Sequence, residues 1–327
     1  MNYMGWQSEV FVTALSESNV EKSLKCHKIF ALACSKITMK ERMDPLIKER
    51  ANWLFANHAH ARLARYLLDH LLSYEKTVTL ATEMQDWPCE QVMDQMGRRL
   101  ARHVTCTGLE HIPDSGPALI VANHPTGIAD GIILHRVLAA KRPDTYFFAN
   151  HDVLRILPQM QQMIVPVEWR HEKRSYAKTR ATMDETRKAI EAGRLGVIFP
   201  SGRLAKRRGL KLHERRWISS PVTIARKFEV PIIPIRIEAR NSALFYLFDA
   251  IHPSLRDITL FHETLNKHRQ RFQVNVGAPI AAKDLPIKHE EAITMLYHAT
   301  LALAGTGREQ DKAVPLLSKW RTKPARA

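Results

Sequence analysis

The sequence predicts an α/β fold, a central mostly parallel sheet flanked by helices with an N-terminal helical segment, on three observations. From Val104 onward short apolar runs alternate with segments of helical spacing, the texture of strands joined by helical crossovers. Two of those runs, residues 118–122 and 195–199, stop at turn residues, Asn123-His124-Pro125 and Pro200-Ser201-Gly202, as buried strands do where they hand the chain to a loop. Ahead of Val104 there is little strand signal and much helical spacing.

Taken in order, Asp44-Pro45 reads as an N-cap followed by a proline at the first helical position. Beyond Leu46, the residues Leu63, Leu67, Leu71 and Tyr74 recur three or four apart and form one apolar face. Asp86-Trp87-Pro88 opens another helix, expected to reach about Arg102 with Val92, Met96 and Leu100 aligned. Residues 1–103 are read as a helical layer packed on the α/β domain, with membrane contact as the alternative. His58 and His60, two residues apart on a helix, are expected to point away from each other, which argues against a metal site there. Residues 104–109 form an edge strand, 113–117 a turn and 118–122 a buried strand. A helix with Ile132, Ile133, Val137 and Leu138 comes next, then strands at 145–149 and 163–167, and a helix at 180–192 closed by Gly193. The 195–199 strand, a helix at 220–228, and strands at 230–237 and 272–276 complete a domain expected to span residues 104–318. Residues 319–327 read as a loose, basic tail.

A chain of 327 residues can bury a large core. Its 49 Lys and Arg against 33 Asp and Glu give a net charge of +16, which favours anionic partners: nucleic acid, anionic lipid, or phosphorylated or carrier-bound substrates. Cys26, Cys34, Cys89 and Cys106 make no C-x-x-C pair and no Cys/His set at zinc spacing, so they read as reduced thiols of a cytoplasmic protein. The N-terminus lacks a basic segment followed by an apolar core, so no secretory signal is expected. No run of about 18 uncharged apolar residues is present to span a bilayer, and peripheral attachment stays open.

The candidate chemistry begins at the turn after the 118–122 strand. In one continuous helix His124 and Asp130 would sit roughly 240° apart, so the Pro125-Thr126-Gly127 turn must bend the chain if they are to meet. A carboxylate bonded to one ring nitrogen would hold the tautomer and leave the other nitrogen as a base. An unrelated loop histidine with a helix-capping Asp is the alternative. After the 195–199 strand come Arg203, Lys206, Arg207, Arg208, Gly209, Lys211, Arg215 and Arg216. Glycine lets the backbone approach an anion, and the arginine fork suits phosphate or carboxylate oxygens; a solvated basic face is the other reading. The apolar block within residues 241–265 is core, or a wall for an acyl chain.

Asn123-His124 followed by Asp130, then Phe199-Pro200-x-Gly202 75 residues after His124, then Val230-Pro231-Ile232-Ile233-Pro234-Ile235, resembles in order and spacing the PlsC-like glycerolipid and lysophospholipid acyltransferases. The likeness covers roughly residues 104–280. The stretches Asn-His-Pro-x-Gly-x-x-Asp-Gly, Arg240-Asn241-Ser242-Ala243-Leu244-Phe245 and His252-Pro253-x-Leu255-Arg256 resemble most the bacterial hemolysin-like branch. The resemblance implies that His124 is the catalytic base, oriented by Asp130. Asn123, Thr126 and Gly127 would shape the turn within the substrate site, and Pro200, Ser201, Gly202 and Arg203 would meet the acceptor headgroup. Pro231 and Pro234 match a strand motif whose role is structural or toward the acyl donor.

Several positions depart from the family pattern. Five residues separate His124 and Asp130 where four are commonest, Ser201 stands where the third motif has Glu, and Arg203 comes one position early. A basic residue frequent after the third strand is Asn150 here. The second motif is Ile164-Val165-Pro166-Val167, with Arg170 and Arg174 as candidate anion contacts.

The implied activity is a membrane-associated O-acyltransferase of membrane lipid synthesis. It would move a fatty acyl group from an acyl carrier protein or coenzyme A thioester to a lysolipid hydroxyl, of lysophosphatidic acid or lyso-ornithine lipid type. No metal or redox cofactor is expected, nor a serine or cysteine nucleophile, since no G-x-S-x-G elbow is present. Backbone N–H groups near Gly127 are the expected oxyanion donors. The implied place is the cytoplasmic face of the inner membrane, held peripherally on anionic lipid. Two rivals carry different expectations: a basic nucleic-acid-binding protein, for which no zinc-finger, RNP-like or basic-zipper pattern is found, and a non-catalytic lipid-binding relative, against which the presence of both His124 and Asp130 counts.

Overall fold

The computed structural model describes residues 37–168, 175–209 and 211–305. The strands in chain order are β1 (His103–Thr107), β2 (Ala118–Ala122), β3 (Tyr146–Asn150), β4 (Ile164–Val167), β5 (Leu195–Ile198), β6 (Lys206–Arg208), β7 (Lys211–His213), β8 (Ile232–Glu238) and β9 (Arg271–Val276). Seven of them form one sheet in the order β1-β9-β8-β2-β5-β3-β4, while β6 and β7 make a separate two-stranded hairpin. Every pairing in the large sheet is parallel except β8 with β9. The edge position expected for the first strand holds.

The helices are α1 (Met39–Arg50), α2 (Ala59–Leu71), α3 (Tyr74–Glu83), α4 (Cys89–Leu100), α5 (Ile128–Leu138), α6 (Asp152–Ile156), α7 (Tyr176–Glu191), α8 (Ser220–Phe228), α9 (Ala243–Ile251), α10 (Pro253–Glu263) and α11 (His289–Ala302). All five residues of β2 are buried, which is why Ala-Leu-Ile-Val-Ala is apolar without alternation: the strand is covered on both faces. Ile120 and Ala122 join Val92 and Met96 of α4 and Ile133 of α5 in one core. Leu119 and Val121 join Val222 of α8 and Leu296 of α11 in the other. Each fully buried aliphatic side chain contributes about 1.5–3 kcal/mol, so β2 is held from both sides where it delivers the candidate site.

Four expectations in the N-terminal layer are corrected. The first described helix does not begin at Asp44-Pro45: its N-cap is Thr38, whose hydroxyl accepts from Glu41 N–H at 3.3 Å while the Glu41 carboxylate accepts from Thr38 N–H at 2.7 Å. This reciprocal box satisfies the helix end earlier and leaves Pro45 inside α1. Asp44 instead accepts from Arg65 and from the Tyr74 hydroxyl. The apolar series Leu63 to Tyr74 belongs to two helices, broken at Ser73 with φ 54°. Tyr74 is buried, but Leu63, Leu67 and Leu71 are 59%, 56% and 50% exposed, so the stripe faces outward. The helix opened by Asp86-Trp87-Pro88 ends at Leu100, two residues short of Arg102, because β1 starts at His103. His58 and His60 stack at 5.4 Å, since His58 is the extended N-cap of α2 and is not within it.

Cys89 and Cys106 are free thiols; Cys26, Cys34, Arg170, Arg174 and the 319–327 tail lie outside the described residues. No helix among the described residues is long and apolar enough to cross a membrane.

A buried ion pair fastens the loop after β8. Lys267 Nζ donates to Glu263 Oε2 and Asn241 Oδ1, both at 2.8 Å, and to Arg240 O at 3.1 Å. The Glu263 carboxylate also accepts from Ser242 N–H and hydroxyl and from Asn266. Burial alone would raise Glu263, but Lys267 and the Ser242 bonds outweigh it and hold the carboxyl below its ordinary range, whereas at Lys267 burial wins and lowers the ammonium. The carboxylate carries the pH argument because four donors converge on it. Its contribution to stability is complete above the ordinary glutamate value and is lost as pH falls through the lower folded value. Lys267→Met strands the buried carboxylate and is expected to cost about 3–5 kcal/mol, read as a lower urea midpoint; an unchanged midpoint would show that the pair holds nothing.

Candidate active site

The site is built at the carboxyl end of β2, where open α/β sheets collect their chemistry. Asn123, the first residue past the strand, donates from Nδ2 to Ile237 O at 2.9 Å and accepts at Oδ1 from Ile237 N–H at 2.7 Å. This clamp ties the exit of β2 to β8, so His124 leaves the sheet from a fixed point. The His124 N–H donates to Glu214 Oε2 at 3.1 Å, and its carbonyl accepts from Ala205 N–H at 2.9 Å.

The chain then bends as the His-Asp pairing requires. Gly127 has φ 88° and ψ −126°, a conformation reserved for glycine. A Cβ there would stand 3.2 Å from Leu204 Cδ2 and 3.4 Å from Leu260 Cδ2. Because α5 starts at Ile128, Asp130 falls in its first turn, fully buried, and its carboxylate accepts from Thr126 N–H and Gly127 N–H at 2.9 Å each and from the Thr126 hydroxyl at 2.5 Å. Three donors thus fix the carboxylate, and its Oδ2 lies 2.9 Å from His124 Nδ1. The ring N–H is not aimed closely enough at that oxygen to count as a hydrogen bond, so the contact is an electrostatic pairing. A carboxylate at Nδ1 favours the proton there and leaves Nε2 as the acceptor. The imidazole stacks on Phe199 with ring centroids 4.3 Å apart.

His124 lines a cleft of about 1050 Å³. Its walls are mainly apolar, with Ile132, Phe147, Met160, Phe199, Phe245 and Leu260 among them. Two arginines on the walls are paired: Arg50 reaches Asp152 at 2.6 Å, and Arg256 reaches Asp249 at 3.1 Å and Asp257 at 2.7 Å. At the position of the expected basic residue, Asn150 bonds Asp152, and the cation there, Arg50, comes from α1. Arg203 and Arg215 also line the cleft, with Arg215 Nε donating to Leu204 O.

The expected site residues therefore divide. Gly127, Pro200, Gly202 and Arg203 line the cleft with His124. Asn123 and Thr126 shape the turn through the bonds above and do not line it. The Ser201 hydroxyl donates to Arg203 O at 2.8 Å. Pro231 O accepts from Leu119 N–H and Pro234 pairs with Val121, both within the sheet. The basic run also splits: Arg207 and Lys211 sit on the exposed β6–β7 hairpin, and Arg216 pairs with Glu290. The N–H groups of Thr126 and Gly127, the nearest of the expected oxyanion donors, are both given to Asp130. Among the described residues no group of three or more His, Cys, Asp or Glu is placed to hold a metal ion.

Glu214 was not anticipated. Besides the His124 N–H it accepts from Trp217 Nε1 at 3.2 Å, and burial raises its carboxyl against these bonds. It supplies a carboxylate beside Ser201, where the resemblance expects a glutamate, from 13 residues further along. The available signal was that Glu214 is the one acid in the run Arg203 to Arg216.

Residues 103–238 match the family model described as Acyltransferase, a span that contains His124, Asp130 and the residues 200–203. A lyso-glycine lipid O-acyltransferase of Phocaeicola vulgatus is 26% identical over 187 residues, 54% of this chain and 64% of that protein. A protein of the same description from Bacteroides thetaiotaomicron is 23% identical over 234 residues, 66% of this chain and 82% of that protein. The chain thus spans less than two thirds of the first relative's length. The crystal structure of the 1-acyl-sn-glycerophosphate acyltransferase PlsC from Thermotoga maritima aligns with a TM-score of 0.43 at 15% identity, covering 77% of this chain and 99% of that one.

The bend itself is open to test. Gly127→Ala forces a side chain into a positive φ and against Leu204, and it is expected to lower unfolding free energy by about 1–3 kcal/mol. Calorimetric melting at neutral pH measures it; a melting temperature equal to the parent's would mean that the turn relaxes freely.

Proposed function

We propose that residues 103–238, which match the acyltransferase family model, form a PlsC-like acyltransferase domain and that the chain transfers a fatty acyl group from a thioester donor to the hydroxyl of a lysolipid at a membrane surface. The observation that carries this reading is the His124–Asp130 pair, with His124 lining an apolar cleft that has arginines among its lining residues. Nε2 of His124 takes the proton of the acceptor hydroxyl as its oxygen attacks the thioester carbonyl. The tetrahedral intermediate collapses, the C–S bond breaks, and the thiolate leaves with the proton returned by the imidazolium. Asp130 keeps the ring oriented and favours its charged form in passing. One C–O bond replaces one C–S bond, and no covalent enzyme intermediate is needed.

The apolar walls suit acyl chains, and Arg203 and Arg215 suit an anionic head. The acceptor is proposed as a lysolipid of lysophosphatidic acid or lyso-ornithine lipid type. The two relatives that act on lyso-glycine lipid favour the amino-acid-headed class. Acyl carrier protein and coenzyme A are the proposed donors, with no resident cofactor.

Peripheral attachment to an anionic membrane, at the cytoplasmic face, is supported by the exposed stripe. Leu63, Tyr66, Leu67 and Leu71 on α2, with Leu247 and Ile251 on α9, are half or more exposed. Ala64 and Leu68 of α2 and Phe248 of α9 belong to one apolar cluster, and α9 also contributes Phe245 to the cleft wall. A helix with an apolar outer face beside arginine, here Arg62, settles into the headgroup layer.

His124→Ala is expected to lower turnover by about 10³-fold or more with folding intact, and Asp130→Asn by about 10²-fold; product mass spectrometry with a lysolipid panel measures both. Near-normal turnover by His124→Ala protein would remove the base from the mechanism. Separately, Leu63→Asp with Leu67→Asp is expected to release the protein from anionic vesicles in a flotation assay, and binding by the parent should weaken with salt. Undiminished flotation of the double variant would exclude α2 as the contact.

A further inference from the structure

We infer that a second, basic groove at the active-site end of the sheet docks the acidic face of an acyl carrier protein. This deepens the acyl-transfer reading and rests on it. The groove, about 2080 Å³ and open, lies where β8 leaves the sheet and where β1 and β9 start. Arg102, Arg207, Lys211, Arg240, Arg269 and Arg271 line it and are all exposed, and Glu238 is the single carboxylate among its described lining residues.

These charges differ from Arg50 and Arg256 of the cleft. Around His124 the arginines Arg50 and Arg256 are answered by carboxylates. Arg102, Lys211, Arg240, Arg269 and Arg271 form no ion pair among the described residues. Arg207 lies over the Tyr246 ring at 4.8 Å, which props it upright. The buried Nε of Arg236, also in the lining, has no hydrogen-bond partner. A cluster of like charges costs self-repulsion, and an anionic partner relieves it.

The groove is tied directly to the catalytic turn. Asn123 grips Ile237, between Arg236 and Glu238 of the lining. The hairpin bearing Arg207 and Lys211 begins immediately after Ala205, whose N–H is bonded to His124 O. The floor is the Lys267–Glu263–Asn241 network, with Asn241 5% exposed. A carrier seated there stands beside the opening that its thioester arm must enter.

The layout selects a protein over other anions. None of the exposed large apolar side chains lines the groove, so it lacks what a bilayer contact would use. Its cations come from separate places, the start of β1, the hairpin, the loop after β8 and the start of β9, and spread along an open surface instead of converging on one phosphate. Dispersed charge of this kind matches an extended acidic surface and sets on-rate and partner choice.

The experiment compares donors carrying the same acyl group on the full-length protein. The variant Arg240→Glu/Arg269→Glu/Arg271→Glu is expected to raise KM for the carrier-protein thioester on the order of tenfold or more while leaving turnover with the coenzyme A thioester unchanged. A second variant, Arg102→Glu/Lys211→Glu, should do the same if the first fails to fold. Carrier binding by titration calorimetry should weaken with salt in the parent. Equal loss with both donors, loss with neither, or variants that lose RNA or anionic-vesicle binding but keep the carrier would each overturn the docking assignment alone. Transfer by the parent from neither donor would instead overturn the acyl-transfer reading beneath it.

Discussion

The contact between His124 Nδ1 and Asp130 Oδ2, 2.9 Å across a bend that only Gly127 permits, is the constraint the rest of this structure serves. An imidazole is useful as a base only if its ring is held and its charged form is answered, and both needs fall on one carboxylate. That carboxylate is buried, so its oxygens must be satisfied, and the turn provides two backbone N–H groups and the Thr126 hydroxyl. The same bonds fix the bend that brings the pair together, so cap, turn and pairing are one device. Asn123 anchors that device to β8 and Glu214 anchors it to the segment after the hairpin.

The net charge of +16 takes on meaning only when its members are sorted by partner. Some cations are internal structure: Lys267 under the loop after β8, and Arg142, buried against Asp144 and the carbonyls of Pro113 and Gly193. Others are balanced in the cleft. The remainder include an exposed cluster with Glu238 as the single carboxylate among its described lining residues, tied to the His124 turn through Asn123 and Ile237. On the proposed reading, an apolar surface on α2 and α9 and a cationic surface beside the hairpin keep lipid and donor carrier from competing for one mixed surface.

The N-terminal helices are part of the core and of the cleft wall. Val92, Met93 and Met96 of α4 lie in the same core as β2, and Met93 and Arg50 reach the cleft. The stripe of α2 faces outward while the adjacent face, Ala64 and Leu68, joins an apolar cluster with Leu54, Phe248 and Ile258; an amphipathic period tells which side chains share a face, not what the face meets.

The sequence by itself determined the order of the seven strands of the large sheet, the buried character of β2, and the two loops that hold His124 and the residues 200–203; the β6–β7 hairpin and the helices within residues 241–265 were not legible in it. The legible features follow from local periodicity and turn chemistry, which need no knowledge of distant neighbours. It also implied the His124–Asp130 pair, but conditionally, since six residues of spacing bring two side chains together only if the chain bends. The tertiary structure decided that bend, the antiparallel placement of β9, the role of Glu214, the fate of each cation in the basic run and the exposure of the α2 stripe. Apart from the bend, these depend on contacts between segments far apart in the chain, such as Asn123 with Ile237 or Arg50 with Asp152. Burial and charge pairing are properties of a folded neighbourhood, and no local pattern carries them.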